Sequence, residues 1–199
     1  MAGLELCGTD RAGTILHMWE LYAMWAFVYV FFVDFFLTRG TSEVRAGVLS
    51  GGVAFAVIGM GALGSVLAGT WADRLGRERV TIWAMAVSGA CALLIGWLVH
   101  APVPLVLTVA LVWGVAVVAD SAQFSAVVTE VAPAHAVGTA LTLQTALGFL
   151  LTTVTITAVP YLREAGGWPL AFGLLALGPL AGIAAMRRLE NTRIRGAGG

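Results

Sequence analysis

The sequence predicts an all-α membrane protein with six transmembrane helices. Three observations carry this. First, 59% of the 199 residues are hydrophobic and only 11% are charged, whereas a soluble domain carries about 25% charged residues. Second, mean hydropathy is +0.91. Third, uncharged apolar runs of roughly 20 residues recur along the chain, and that is the length that crosses a bilayer as a helix. Short segments with Gly, Pro and Arg, the punctuation of turns, separate them.

The elements follow in order. Residues 1–14 are polar and glycine-bearing, and read as an unstructured tail. Helix 1 is expected over Ile15 to Leu37, with a polar loop from Thr38 to Ala46. Helix 2 covers Gly47 to Ala68 and is crowded with Gly47, Gly51, Gly52, Gly59, Gly61, Gly64 and Ala68. Small residues at such spacings let helices approach closely in lipid, where packing drives association. Helix 3 is expected over Val80 to Val99 and ends at the proline-bearing turn His100 to Pro104. Helix 4 covers Pro104 to Val127, and Glu130 to Val137 is a loop. Helix 5 covers Gly138 to Val159, Pro160 to Trp168 is a turn, and helix 6 covers Pro169 to Met186. The domain organisation is a six-helix domain, 15–187, between tails 1–14 and 188–199.

Composition also excludes functions. All eleven cations are arginine and the formal net charge is zero, which gives nucleic acid no electrostatic footprint. Cys7 and Cys91 form neither a disulfide framework nor a metal motif. His17, His100 and His135 fall in different segments, and no nucleophile elbow, phosphate loop or metal-ligand spacing occurs. The expectation is therefore no enzyme, no metal and no cofactor. The apolar stretch after residue 14 is longer than a signal-peptide core, and Ala2 replaces the glycine that myristoylation needs.

Between helices 2 and 3 lies the densest charge cluster before the C-terminus, Asp73, Arg74, Arg77, Glu78 and Arg79. Gly69, Ala72, Asp73, Arg74, Gly76, Arg77 and Arg79 fall at the spacing of a known signature. It resembles the loop that joins the second and third helices of each six-helix half in the major facilitator superfamily. His17 to Trp25 resembles the start of the seventh helix in a group of prokaryotic facilitators. Asp120 to Ser125 and Gly138 to Thr145 resemble that group's tenth and eleventh helices. The resemblance covers about residues 17–186 and implies the C-terminal half of the fold, in a half-length or truncated member.

It further implies transport of a small solute by alternating access, with substrate held near the midplane between two halves. Gly69, Asp73, Arg74, Gly76 and Arg77 would be the conformational loop motif. The group includes carriers labelled for nitrate, nitrite and cyanate. Nitrate carriers have an arginine inside each half and a glycine-rich eleventh helix. Here helix 2 has no arginine past Arg45, and helix 5 has only Gly138 and Gly148. The partners implied are a small-molecule solute, membrane lipids, and a second half or a second copy of the chain. The alternative class is a non-transporting remnant or membrane partner protein.

Orientation follows from arginine. With both termini cytoplasmic, Arg11, Arg74, Arg77, Arg79, Arg187, Arg188, Arg193 and Arg195 lie inside, against Arg39, Arg45 and Arg163 outside. Short loops rich in arginine stay cytoplasmic, which fixes that orientation; the resemblance to prokaryotic facilitators implies a prokaryotic inner membrane.

Ionisable residues inside membrane helices are functional candidates by default. Glu20 and Asp34 share one face of helix 1 with Ala23, Met24, Phe27 and Phe31, about 21 Å apart along the axis. Glu20 also reads as an interfacial acid near the helix start, and Asp34 as one beside Thr38 and Arg39. A half alone would show Glu20 to lipid. Asp120, with Trp113, Gln123 and Phe124 on its face, is a candidate proton carrier or a contact of the arginine loop. On helix 5, Gln144, Gly148 and Thr155 share a face suited to a polar cavity. Thr152 and Thr153 are expected to bond their own backbone. Glu20, Asp120, Gln123 and Gln144 form the candidate substrate or proton pathway.

Overall fold

The computed structural model describes residues 2–119, 136–184 and 186–187, with side chains from His17 onward. Five α-helices and one 3-10 segment occur among them: α1 (Ala2–Leu37), α2 (Glu43–Leu75), α3 (Arg77–Ile95), the 3-10 segment Gly96–His100, α4 (Val103–Ala119) and α5 (Val137–Leu175). Four helical stretches are long and apolar enough to cross a membrane, His17–Leu37, Glu43–Leu75, Arg77–His100 and Val137–Ala184. The predicted all-α membrane architecture is therefore present. Asp120, Gln123, the end of helix 4 and most of the following loop lie outside the described residues.

Several boundaries differ from expectation. α2 runs past Ala68 to Leu75, which leaves Gly76 as the turn before α3. α1 starts at Ala2, so the stretch expected to be an unstructured tail is helical. Extending an existing helix fixes one residue per added bond and avoids the cost of a new nucleus. Helices 5 and 6 are not parted by a nine-residue turn. α5 runs straight through Pro160 and breaks only at Gly166 and Gly167. A proline in a membrane helix is tolerated where neighbours satisfy the freed backbone. Gly167 has φ +73°, a conformation that side-chain-bearing residues rarely adopt. Trp168 precedes Pro169 and is biased away from the helical region, and Pro169 then suits the first turn of the next arm. α5 thus supplies two arms. A further interruption at Ala176 precedes the helical stretch 177–184, where Pro179 removes a backbone donor.

Packing explains the small residues of α2. A Cβ on Gly64 would lie 2.1 Å from the Val115 carbonyl oxygen, and one on Gly114 would lie 2.1 Å from that of Val57. α2 and α4 therefore touch backbone to backbone. Gly51, Gly52 and Gly59 have nothing within 4 Å and lie on the exposed side. α1 packs along α5 and α2, and α3 packs against α4. The core centres on aromatic rings from three elements, α1, α4 and α5. Phe31 and Trp168 meet edge to face at 5.4 Å, as do Trp113 and Phe172 at 5.4 Å, geometries that favour the ring quadrupoles.

Candidate functional site

α1 divides the site because its two faces do different things. Its inner face carries Glu20, which is only 2% exposed. One carboxylate oxygen accepts from the Ser88 hydroxyl of α3 at 2.8 Å and from the Trp113 indole of α4 at 2.7 Å. Glu20 therefore joins three helices. Two expectations are corrected. Glu20 is no interfacial acid at a helix start, because α1 begins eighteen residues earlier, at Ala2. Nor does it face lipid, because α3 and α4 enclose it. A carboxyl in hydrocarbon is costly, and donors from neighbouring helices are what offset that cost. Ala23, Met24 and Phe31 of the same stripe are fully buried with it.

The outer face of α1 is aromatic and only partly covered. Tyr22 meets Trp25 edge to face at 5.6 Å and Phe149 of α5 at 5.0 Å, while Tyr29 is exposed. The Tyr29 hydroxyl lies 3.5 Å from where a Cβ on Gly47 would sit. Because α1 and α2 are antiparallel across a short turn, Trp25 and Ser50, each one turn further from it, come to the same level. The Trp25 indole nitrogen, the Ser50 hydroxyl and the Gln144 side-chain oxygen are buried without a hydrogen-bond partner among the described residues. Such orphans are rare and costly in folded proteins.

Gln144 belongs to the inward stripe of α5, which includes Gly148, Thr152 and Thr155. This stripe is closed packing more than cavity. A Cβ on Gly148 would strike the Met18 sulfur at 2.1 Å. Thr152 donates to the Gly148 carbonyl at 2.9 Å and to that of Met18 at 3.2 Å. Thr153 donates to Phe149 O at 3.1 Å, the self-bonding expected of threonine here. Gln144 is thus the polar member left unsatisfied. Glu20 and Gln144 are both buried yet serve different neighbours, so they do not form one constellation.

The loop motif is mostly helix. Gly69, Asp73 and Arg74 lie on the last two turns of α2, Gly76 alone makes the turn, and Arg77 opens α3. Gly76 has φ +91° and its N–H caps the Ala72 carbonyl at 3.0 Å. Asp73 and Arg74 are exposed.

At the other end of α1, Asp34 lies near the helix end beside Thr38 and Arg39 in sequence, and its partners come from elsewhere. It accepts from Arg163 at 2.5 Å and from the Trp168 indole at 2.9 Å, which ties α1 to the break in α5. Arg39 instead donates to the carbonyls of Val99, at 2.7 Å, and Ala101, closing the end of the 3-10 segment. Sequence reasoning passed over Ser88, Ser50 and Arg163 as partners. The available signal was a lone hydroxyl in the middle of an apolar run, and Ser88 and Ser50 both fit it. Among the described residues no three His, Cys, Asp or Glu side chains are placed to hold a metal.

A bundle of long apolar helices, with the Glu20 and Asp34 carboxyls bonded to neighbouring helices, defines a multi-pass integral membrane protein. Its family is equally plain. Residues 12–193 match the model of the sugar (and other) transporter family, and the chain belongs to that family, a branch of the major facilitator superfamily made of transporters and not enzymes. No curated protein sequence matches the chain significantly. Among solved structures, the major facilitator proton:xylose symporter XylE, bound to 6-bromo-6-deoxy-D-glucose, superposes with a TM-score of 0.76 at 16% identity. The match covers 94% of this chain and 44% of the symporter, so the chain spans under half the length of that relative.

Proposed function

We propose that this chain acts as one half of a secondary transporter and moves a small polar solute by alternating access. In this reading it is the C-terminal half, with domain 15–187 flanked by cytoplasmic tails 1–14 and 188–199 in a prokaryotic inner membrane. It works against a second half or a second copy of itself. The outer face of α1 is its solute side. The observation that carries this is the pair of buried polar groups without partners among the described residues at Trp25 and Ser50, one donor and one hydroxyl on a face that also carries Tyr22 and Tyr29; the Gln144 oxygen is a third such atom, on the inward stripe of α5. Aromatic surface with spare donors and acceptors suits a hydroxylated solute. Sugars are the first class to test, because the family and the solved relative carry that name.

Proton coupling is the finer part of the proposal. Glu20 is the described carboxyl most deeply set among helices, and Asp120 is the second candidate, with Gln123 beside it in the sequence. The test is reconstitution in liposomes, with the chain alone and with its six-helix complement. Glu20→Gln or Asp120→Asn should abolish uphill accumulation of the solute and leave downhill exchange intact. Accumulation by both neutral variants would remove the coupling. Absence of any solute movement under either condition would favour the alternative, a non-transporting membrane protein.

A further inference from the structure

A second apolar feature lies on the α2–α3–α4 side and shares no residue with the α1 face. It is a groove of about 240 Å³ between these helices, lined by Leu67 and Trp71 of α2, Trp83 and Val87 of α3, and Val112 and Val115 of α4, with small residues at its floor. Its mouth is open, and its lining is almost wholly apolar. Trp71 and Trp83 are 50% and 53% exposed and stand on opposite walls. They lie five and seven residues from the Gly76 turn, so both sit about 8–10 Å below it. Tryptophans at that depth mark a membrane–water interface. Arg74 follows Trp71 by three residues and Leu67 by seven, which places it on the same face of α2, one turn nearer the interface. It is exposed, and Asp73 is turned about 100° away around the helix.

We propose that this groove binds an anionic phospholipid, one acyl chain lying between Trp71 and Trp83 and the headgroup phosphate meeting Arg74. The groove runs from Gly64 to Trp71 along α2, about 10 Å, which takes the upper part of an acyl chain. A slot of this kind on a membrane protein is already bathed in hydrocarbon, so a soluble apolar ligand would have to displace lipid to enter it. The guanidinium selects the headgroup, because its planar fork matches phosphate oxygens. A basic residue beside a slot between helices is the general form of a headgroup site. The outcome for the protein is a lipid wedged where α2 and α3 meet the motif turn.

The test uses the full chain, delipidated in mild detergent and exposed in turn to phosphatidylglycerol and phosphatidylcholine, with bound lipid counted by native mass spectrometry. The parent should retain phosphatidylglycerol in preference to phosphatidylcholine. Arg74→Gln should lower phosphatidylglycerol retention about fivefold, the effect of one basic residue at an anionic surface, and leave phosphatidylcholine unchanged. Val112→Trp, which fills the slot from its open side, should lower retention of both lipids. Val87→Trp is a second filling variant on the other wall. Arg45→Gln, at the far end of α2, should match the parent. Retention by Arg74→Gln equal to the parent overturns the headgroup contact. Full retention by both tryptophan variants overturns the slot. An equal loss in Arg45→Gln would reduce the effect to general surface charge and overturn the site.

Discussion

The Glu20 junction makes a quantitative prediction about how the bundle is held. Glu20→Leu removes the acceptor shared by Ser88 and Trp113, and the two donors then fare differently. The Ser88 hydroxyl can rotate to the carbonyl one turn back in its own helix, as serines in membrane helices do. The Trp113 indole cannot follow, because its ring is fully buried and set edge-on to Phe172 at 5.4 Å. A buried N–H left without a partner costs about 1–3 kcal/mol, so Glu20→Leu should destabilise by about that amount. Trp113→Phe keeps the ring contact and removes the same bond from the other side. Combining the two leaves no indole N–H to orphan, and the double variant should be more stable than the sum of the singles by about 1–3 kcal/mol. The assay is reversible unfolding of the four proteins in mixed micelles. A coupling within about 0.5 kcal/mol, the ordinary error of additivity, would refute the claim that this bond links α1 to α4.

Four further outcomes are expected. Gly64→Ala should cost about 1–3 kcal/mol in the same unfolding assay, since its Cβ would meet the Val115 backbone. Gly59→Ala, with open space around it, should be neutral or stabilise by up to about 1 kcal/mol through helix propensity. Single cysteines at Thr70 and Ser42 should label from opposite sides of the membrane, Thr70 from inside the cell, and Thr70 labelling from outside would reverse the orientation. Asp73→Asn should slow the transport cycle with unfolding unchanged, because Asp73 is exposed on the last turn of α2; wild-type cycling by that variant would remove its gating role.

The fold was legible because membrane helices declare themselves by length and lack of charge. Helix 1 ends at Leu37 as expected and α3 begins three residues before the expected Val80, whereas α2 runs seven residues past the expected Ala68 to Leu75. The Gly76 turn was legible too, since glycine sits where φ must be positive. The break in α5 was read too long because Pro160 was taken as a stop, while only Gly167 has a conformation that requires one. The start of α1 was missed because hydropathy reports which segments sit in lipid and says nothing about helicity. In the site, the inward stripe from Glu20 to Phe31 followed from a 100° period. Which helix would answer Glu20 did not, because periodicity fixes a face and leaves its neighbour open. Ser88 and Trp113 come from runs that are otherwise uniform, and only the packing of α3 and α4 brings them to one oxygen. The same holds for Asp34, whose nearest cation in sequence, Arg39, serves a different helix end.

These contacts bear on how the proposed cycle works. α1 is held on its inner face at two depths, at Glu20 by α3 and α4 and at Asp34 by the break in α5, about 21 Å apart. The second contact is half exposed, with side chains 26% and 40% accessible, and water competes for such a pair, so it holds weakly. The first is dry, and two donors from fixed rings and helices converge on it, so its strength depends on the carboxyl having both lone pairs free. A proton delivered to Glu20 would remove its charge and add a donor, which weakens the bonds that Ser88 and Trp113 donate to it, because bonds to an ionised acceptor are stronger. The outer face of the same helix holds the proposed solute contacts at Trp25 and Tyr29. A carrier built this way joins its two cargoes through the rigid body of α1, with no direct contact between solute and proton. On this argument Trp113→Phe, which weakens the inner contact and leaves every solute-facing atom in place, should uncouple accumulation from exchange as Glu20→Gln does, whereas Ser50→Ala should weaken solute binding and leave coupling intact.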